Sequence, residues 1–167
     1  MPHTHLPYRL NVGIMLLNAH GQIWIGRRPD SLNDPEGRGT WWQMPQGGID
    51  AGEDPRAAAL RELFEETNIK SATIIAETKD WHTYDLPADV IPRAWGGKHR
   101  GQKQKWFAAR FTGPDSEISI VPSAGHDVEF IEWRWGTLAE LPSLIVPFKR
   151  DVYTAVLAEF GHLAKPV

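Results

Sequence analysis

Three glutamates, Glu62, Glu65 and Glu66, stand at i, i+3 and i+4 in the stretch RELFEET, with Arg61 beside them and Glu53 a little upstream. Carboxylates crowded this way on a helix repel by about 0.2–0.5 kcal/mol for each i,i+4 pair. Arg61, four residues before Glu65, is the only local counter-charge. The ordinary reading of a Glu-rich helix is a solvated acidic face. Here the acids gather on one arc, just after a Gly47-Gly48 pair that reads as a turn. Hard oxygen donors on one face suit Mg²⁺ or Mn²⁺, which need few carboxylates and complete their shells with water and substrate phosphates.

The element that must carry these acids is marked at both ends. Asp54 offers a side-chain oxygen as an N-cap, and Pro55 suits the first helical position, where no N–H is needed. Nothing from Arg56 to Thr67 breaks a helix, and its alanines and leucines favour one. Leu60, Phe64, Ala57 and Leu63 form an apolar arc expected to face a core, opposite the glutamates.

The spacing is that of a known signature. Gly47, five residues, Glu53, seven residues and then Arg61-Glu62-Leu63-Phe64-Glu65-Glu66-Thr67-Asn68-Ile69 resembles the motif of the Nudix hydrolases. All the charged positions match. Asn68 replaces the family's glycine, and Asn is the usual substitute where a left-handed helix cap is required. Flanking segments resemble one branch, the bacterial RNA 5′-pyrophosphohydrolases and the plant-type dinucleoside polyphosphate hydrolases. They are Tyr8–Gly13, Trp42–Gly48, Gly101–Phe107, Trp133–Trp135 and Phe148–Tyr153. The resemblance runs from about Tyr8 to Phe160 and departs from the branch in the Pro29–Thr40 loop and around Trp95–Arg100.

The resemblance implies an α/β fold, an α/β/α sandwich with a mixed sheet between helices. It also implies hydrolysis of a P–O–P linkage with two or more Mg²⁺ or Mn²⁺ ions, and metal ligands at Gly47, Glu62, Glu65, Glu66 and Glu129. Glu62, Glu66 and Glu129 are the candidate catalytic bases, and the residues do not choose among them. Arg9, Arg28, Lys103, Lys105 and Lys149 are the cations available for phosphates, with Arg28 and Lys149 favoured and Lys105 closer to an ordinary surface charge. Lys149 opens a helix, the end at which a cation is disfavoured, so it calls for an anionic partner. Gln46 is placed at the site, and Tyr84, Phe148 or a Trp is available to stack on a base. The expected substrate is 5′-triphosphorylated RNA, with a dinucleoside polyphosphate such as diadenosine tetraphosphate as the alternative. A non-catalytic nucleotide-binding module is disfavoured, because such modules usually lose motif carboxylates that are all present here.

Bulk properties agree with a compact soluble enzyme. At 167 residues, with 41% hydrophobic and 23% charged residues, one domain over residues 8–163 is expected, after a loose tail at 1–7 in which His3 and His5 are incidental. A net charge of −3 provides no global basic field for nucleic acid, so a polyanion must be held by local cations. Eight tryptophans can serve packing or base stacking. No cysteine, no signal peptide and no long apolar run point to a cytoplasmic protein with no membrane partner, expected to be a monomer. Strands are expected at 9–17, 22–28, 72–78, 81–86, 102–111 and 129–135. A helical turn is expected at 138–140, an amphipathic helix at 148–162 and a mobile loop at 114–127.

Overall fold

The computed structural model describes residues 5–29, 39–122 and 127–167. Its strands are β1 (Tyr8–Leu17), β2 (Ile23–Arg27), β3 (Trp42–Gln43), β4 (Gln46–Gly48), β5 (Ala72–Glu77), β6 (His82–Asp85), β7 (Gly101–Phe111) and β8 (Glu132–Gly136). The helices are α1 (Pro55–Thr67), a short α2 (Leu141–Leu144) and α3 (Arg150–Phe160). β1 runs parallel to β7, in register from Tyr8 opposite Gly101 to Leu17 opposite Arg110. It pairs antiparallel with β2 and β4. β2 also carries β3 and β8, and β7 carries β5 and β6, all antiparallel. The sheet is therefore mixed.

Side-chain alternation along β1 divides the core in two. Val12, Ile14 and Leu16 pack with Trp24, Phe107 and Ala109 beneath Ala58, Ala59 and Leu63 of α1. Met15 and Leu17 pack with Trp106 and Ala108 against Val152, Tyr153, Val156, Leu157 and Phe160 of α3. Helices thus cover both faces, and the apolar stripe expected in the C-terminal helix is the stripe that is buried. No helix among the described residues is long and apolar enough to cross a membrane.

The ends of α1 follow from local chemistry. The Asp54 carboxylate accepts from Ala57 N at 3.1 Å. Asn68 adopts φ 63°, ψ 13°, and its N–H reaches Phe64 O at 2.8 Å. The rotation of α1 about its axis differs from the expected one. Leu60 and Phe64 are 41% and 40% exposed, while Ala58, Ala59, Leu63 and Thr67 are buried. Small alanines against the sheet bring the helix axis close, and that turns Glu62 and Glu66 inward, not out into solvent. Phe64 is partly covered by the Lys70 ammonium, 5.2 Å from its ring.

Gly47 and Gly48 also differ from expectation: they lie in β4, opposite Val12 and Asn11, and not in a turn. Their need for glycine is steric. A Cβ on Gly47 would collide with the Glu62 carboxylate, and one on Gly48 with the Arg9 guanidinium. β8 begins at Glu132, so Glu129 lies in the connection before it, and the late helical turn falls at Leu141–Leu144, later than expected. Leu6 packs against the α3-side core, and Pro7 O accepts from Arg100 N at 3.0 Å. His3, most of the 29–40 loop and part of the expected mobile loop at 114–127 lie outside the described residues.

Candidate active site

One cleft of about 290 Å³ gathers side chains from many segments of the chain. β1 contributes Arg9 and Asn11, the end of β2 Arg28, and β4 Gln46 to Gly48. α1 contributes Glu62 and Glu66, β6 Tyr84, and the turn just before α3 Phe148 and Lys149. Glu129 closes one side. A second hollow of about 250 Å³ shares Glu62, Glu66 and Glu129 and adds Glu65 and Asp127. The carboxylates therefore form a partition between a cationic cleft and an acidic hollow.

Arg61 organises the motif. Its Nε and Nη2 donate to Glu53 at 2.8 Å each, Nη1 donates to Glu62 at 2.9 Å and Glu65 at 3.2 Å, and Nη2 also reaches Gly48 O at 2.9 Å. Hydrogen bonds from Arg61 hold the Glu53 carboxyl down at about 2. Glu53 also accepts from Asp50 N at 3.0 Å, so it anchors Arg61 and ties β4 to α1.

Glu62 and Glu66 behave oppositely. Burial pushes the Glu62 carboxyl up to about 7 against the pull of Arg61. Burial also raises Glu66 well above the usual carboxylate range, with Glu129 and Glu62 adding repulsion. One Glu66 oxygen, Oε2, is buried with no hydrogen-bond partner among the described residues. A buried carboxylate with an orphaned oxygen beside two others is a group that a cation would satisfy. Divalent metal therefore fits Glu62, Glu66 and Glu129, with Glu65 from the hollow side. Among the described residues no three acidic or histidine side chains converge on one point; Arg61 pairs with Glu62 and Glu65, and Arg28 Nη1 with Glu129 at 3.1 Å.

The opposite wall is cationic and aromatic. Lys149 is 4% exposed, lies 3.5 Å from Gln43 Oε1 and stands over the Tyr84 ring at 5.7 Å. Tyr84 and Phe148 meet at 5.8 Å between centroids. Gln104 Nε2 bridges Asn11 Oδ1 at 2.8 Å and Gln46 Oε1 at 3.3 Å, bracing the floor.

A scan against family models matches the NUDIX domain over residues 7–156. The chain belongs to the Nudix family. A protein of Rhodopseudomonas palustris (strain BisB18) named RNA pyrophosphohydrolase is 55% identical over 164 residues, 98% of this chain and 93% of that one. A Bradyrhizobium diazoefficiens protein of the same name is 53% identical over 164 residues, 98% of each. Among solved structures, a C. elegans Ap4A hydrolase binary complex superposes with TM-score 0.59 at 21% identity, covering 93% of this chain and 92% of that chain. The E. coli dihydroneopterin triphosphate pyrophosphohydrolase gives 0.65 at 16%, covering 92% and 99%. These structural likenesses establish the Nudix fold, and the closer sequence relatives narrow the activity.

The cleft brings together Arg9, Arg28, Gln46, Gly47, Glu62, Glu66, Tyr84, Glu129, Phe148 and Lys149, and Glu65 faces the neighbouring hollow. Lys103 stands apart. It is exposed and alternates to the α1 side of β7, its ammonium 5.9 Å from the Trp81 ring, while Gln102 and Gln104 face the cleft side. Lys105 shares the Lys103 face and lies 3.9 Å from Glu77. Lining residues not singled out from sequence include Asn11, Gln102 and Asp127, and Trp95 falls in the stretch noted only as a departure from the branch. Strand alternation with buried Trp106 was a usable signal for Gln102, and the i, i+2 spacing from Glu129 for Asp127.

Proposed function

We propose that this Nudix protein removes pyrophosphate from the 5′-triphosphate end of RNA and leaves a 5′-monophosphate. The observation that carries this reading is the cleft itself, in which Arg9, Arg28 and Lys149 face the carboxylates of Glu62, Glu66 and Glu129 beside an aromatic wall. A polyphosphate joined to a nucleoside fits that arrangement. The name shared by relatives 53% and 55% identical over nearly the whole chain favours an RNA end over a dinucleotide.

Mg²⁺ or Mn²⁺, two or more ions held by Glu62, Glu65, Glu66 and Glu129, would supply charge neutralisation and a polarised water. The rest is the work of the chain. Arg28 and Lys149 hold phosphate oxygens, and burial of Lys149 strengthens that contact. Phe148, backed by the buried Tyr84 ring, presents a ring face to the first base, a contact worth about 1–3 kcal/mol per base. Water cleaves the α–β anhydride, pyrophosphate departs, and the water's proton passes to Glu62, Glu66 or Glu129. Every group invoked comes from one chain.

The test is a competition in Mg²⁺ between 5′-triphosphorylated RNA and diadenosine tetraphosphate at equal concentration. Preferential release of pyrophosphate from the RNA is expected. Preferential release of ATP from the dinucleotide would overturn the substrate assignment.

A further inference from the structure

Trp95 occupies an unusual place. It opens a short 3₁₀ turn, Trp95–Gly97, on the rim of the cleft, and its φ is 47°, in the left-handed region. A bulky aromatic residue there is a genuine backbone outlier. Gly96 and Gly97 follow at φ 70° and 72°, so three consecutive residues are left-handed and only two are glycine. Such conformations persist where the surroundings over-determine them, and they cluster at ligand sites.

What the turn achieves is visible in Arg9. The Arg9 guanidinium lies 5.1 Å from the centre of the Trp95 ring. Its Nη1 donates to Gln102 Oε1 at 3.1 Å, and Gln102 Nε2 donates in turn to the Tyr84 hydroxyl at 2.6 Å. The guanidinium packs over Gly48, where any Cβ would collide with it. Stacking, a hydrogen bond and a bare glycine thus fix it from three sides. Arg28 and Arg61 have carboxylate partners at 3.1 Å and 2.8 Å. Arg9 has none within ion-pair distance among the described residues, and burial pulls its pKa down. A half-buried cation without an anion is costly unless a ligand supplies one.

We propose that Trp95 is a positioning residue for substrate polyphosphate, its ring stacking on Arg9 so that the guanidinium is presented to the phosphates in one fixed orientation. This rests on the reading of the cleft as a polyphosphate site. Trp95 acts through Arg9 and not by holding a base.

Calorimetric binding of inorganic tripolyphosphate, which has no base, is measured with Ca²⁺ present, beside kcat and KM for triphosphorylated RNA. W95L keeps apolar bulk but removes the ring face, and W95F keeps a ring face. W95L is expected to weaken tripolyphosphate binding about 5- to 10-fold and to raise KM by a similar factor with kcat nearly unchanged. W95F is expected to restore both to within about 2- to 3-fold of wild type, and melting temperatures are expected to match. In an R9A background, W95L is expected to have no further effect. The proposal is overturned if W95L binds tripolyphosphate as wild type does, or if only RNA binding falls, since the ring would then meet a base directly. It is also overturned if the W95L loss persists in R9A, or if wild-type protein fails to bind tripolyphosphate. Failure of the functional reading shows separately, as absence of pyrophosphate release from RNA while tripolyphosphate still binds.

Discussion

Replacing Glu62 with Gln should stabilise the metal-free protein in mild alkali while weakening its response to metal. The folded protein raises the Glu62 carboxyl from 4.5 to about 7, chiefly by burial. Its side chain is 15% exposed, so solvent screening is modest. In the unfolded chain Glu62 ionises above about pH 4.5, whereas the folded chain resists ionisation until about 7. Stability is therefore intact below the lower value and falls as pH rises through the upper one. At about 1.4 kcal/mol per pKa unit, the cost above pH 7 approaches about 3 kcal/mol. The variant also weakens the hydrogen bond from Arg61, which offsets about 1 kcal/mol. Urea unfolding in EDTA should thus show E62Q more stable than wild type by about 2 kcal/mol near pH 8, with the advantage gone near pH 5. Adding Mn²⁺ should stabilise wild type and move the variant much less. An E62Q protein less stable than wild type in EDTA at both pH values would refute the reasoning, because Glu62 would then be a net stabilising carboxylate and not one held at a cost for metal.

Other outcomes follow from individual contacts. K149A should raise KM for triphosphorylated RNA about tenfold or more, as expected for loss of a buried charge-assisted contact, while K103A should stay within about twofold because Lys103 lies off the cleft face; steady-state kinetics on the two variants checks both. G47A should displace the Glu62 carboxylate and lower kcat/KM by about tenfold or more, with the far-UV circular dichroism of α1 unchanged. N68A should cost about 1 kcal/mol in denaturant unfolding, because alanine is strained at φ 63°, whereas N68G should be neutral to slightly stabilising.

The features legible in the sequence were those set by local chemistry. Asp54, Pro55 and Asn68 mark the ends of α1 without reference to the rest of the fold, and the strands of alternating residues declared themselves in the same way. The spacing of Glu62, Glu65 and Glu66 was legible too, since one arc of one helix carries them. The rotation of α1 was not. Hydrophobic periodicity favours Leu60 and Phe64 inside, but the sheet accepts Ala58 and Ala59 because they allow close approach, and a carboxylate site takes the space gained. The glycine pair was misread for a related reason. Glycine in a turn and glycine beneath a close-packed side chain look alike until the partner, Glu62 or Arg9, is placed. Lys103 was misassigned although its alternation with Gln102 and Gln104 carried the answer. The departure around Trp95–Arg100 marked the place of Trp95 but not its conformation, since no propensity places an aromatic residue in a left-handed turn.

On the proposed function, a metal-loaded carboxylate cluster around Glu66 cleaves the 5′ end of RNA between its α and β phosphates. The most direct measurement follows β,γ-labelled triphosphorylated RNA with wild-type protein and E66Q, each with Mg²⁺ and with EDTA, and separates the labelled products. Wild type with Mg²⁺ should release labelled pyrophosphate and leave a 5′-monophosphate, with E66Q at least about tenfold slower, at least about 1.4 kcal/mol in barrier, and EDTA silencing both. Pyrophosphate release by E66Q at the wild-type rate, or by wild type in EDTA, would contradict it.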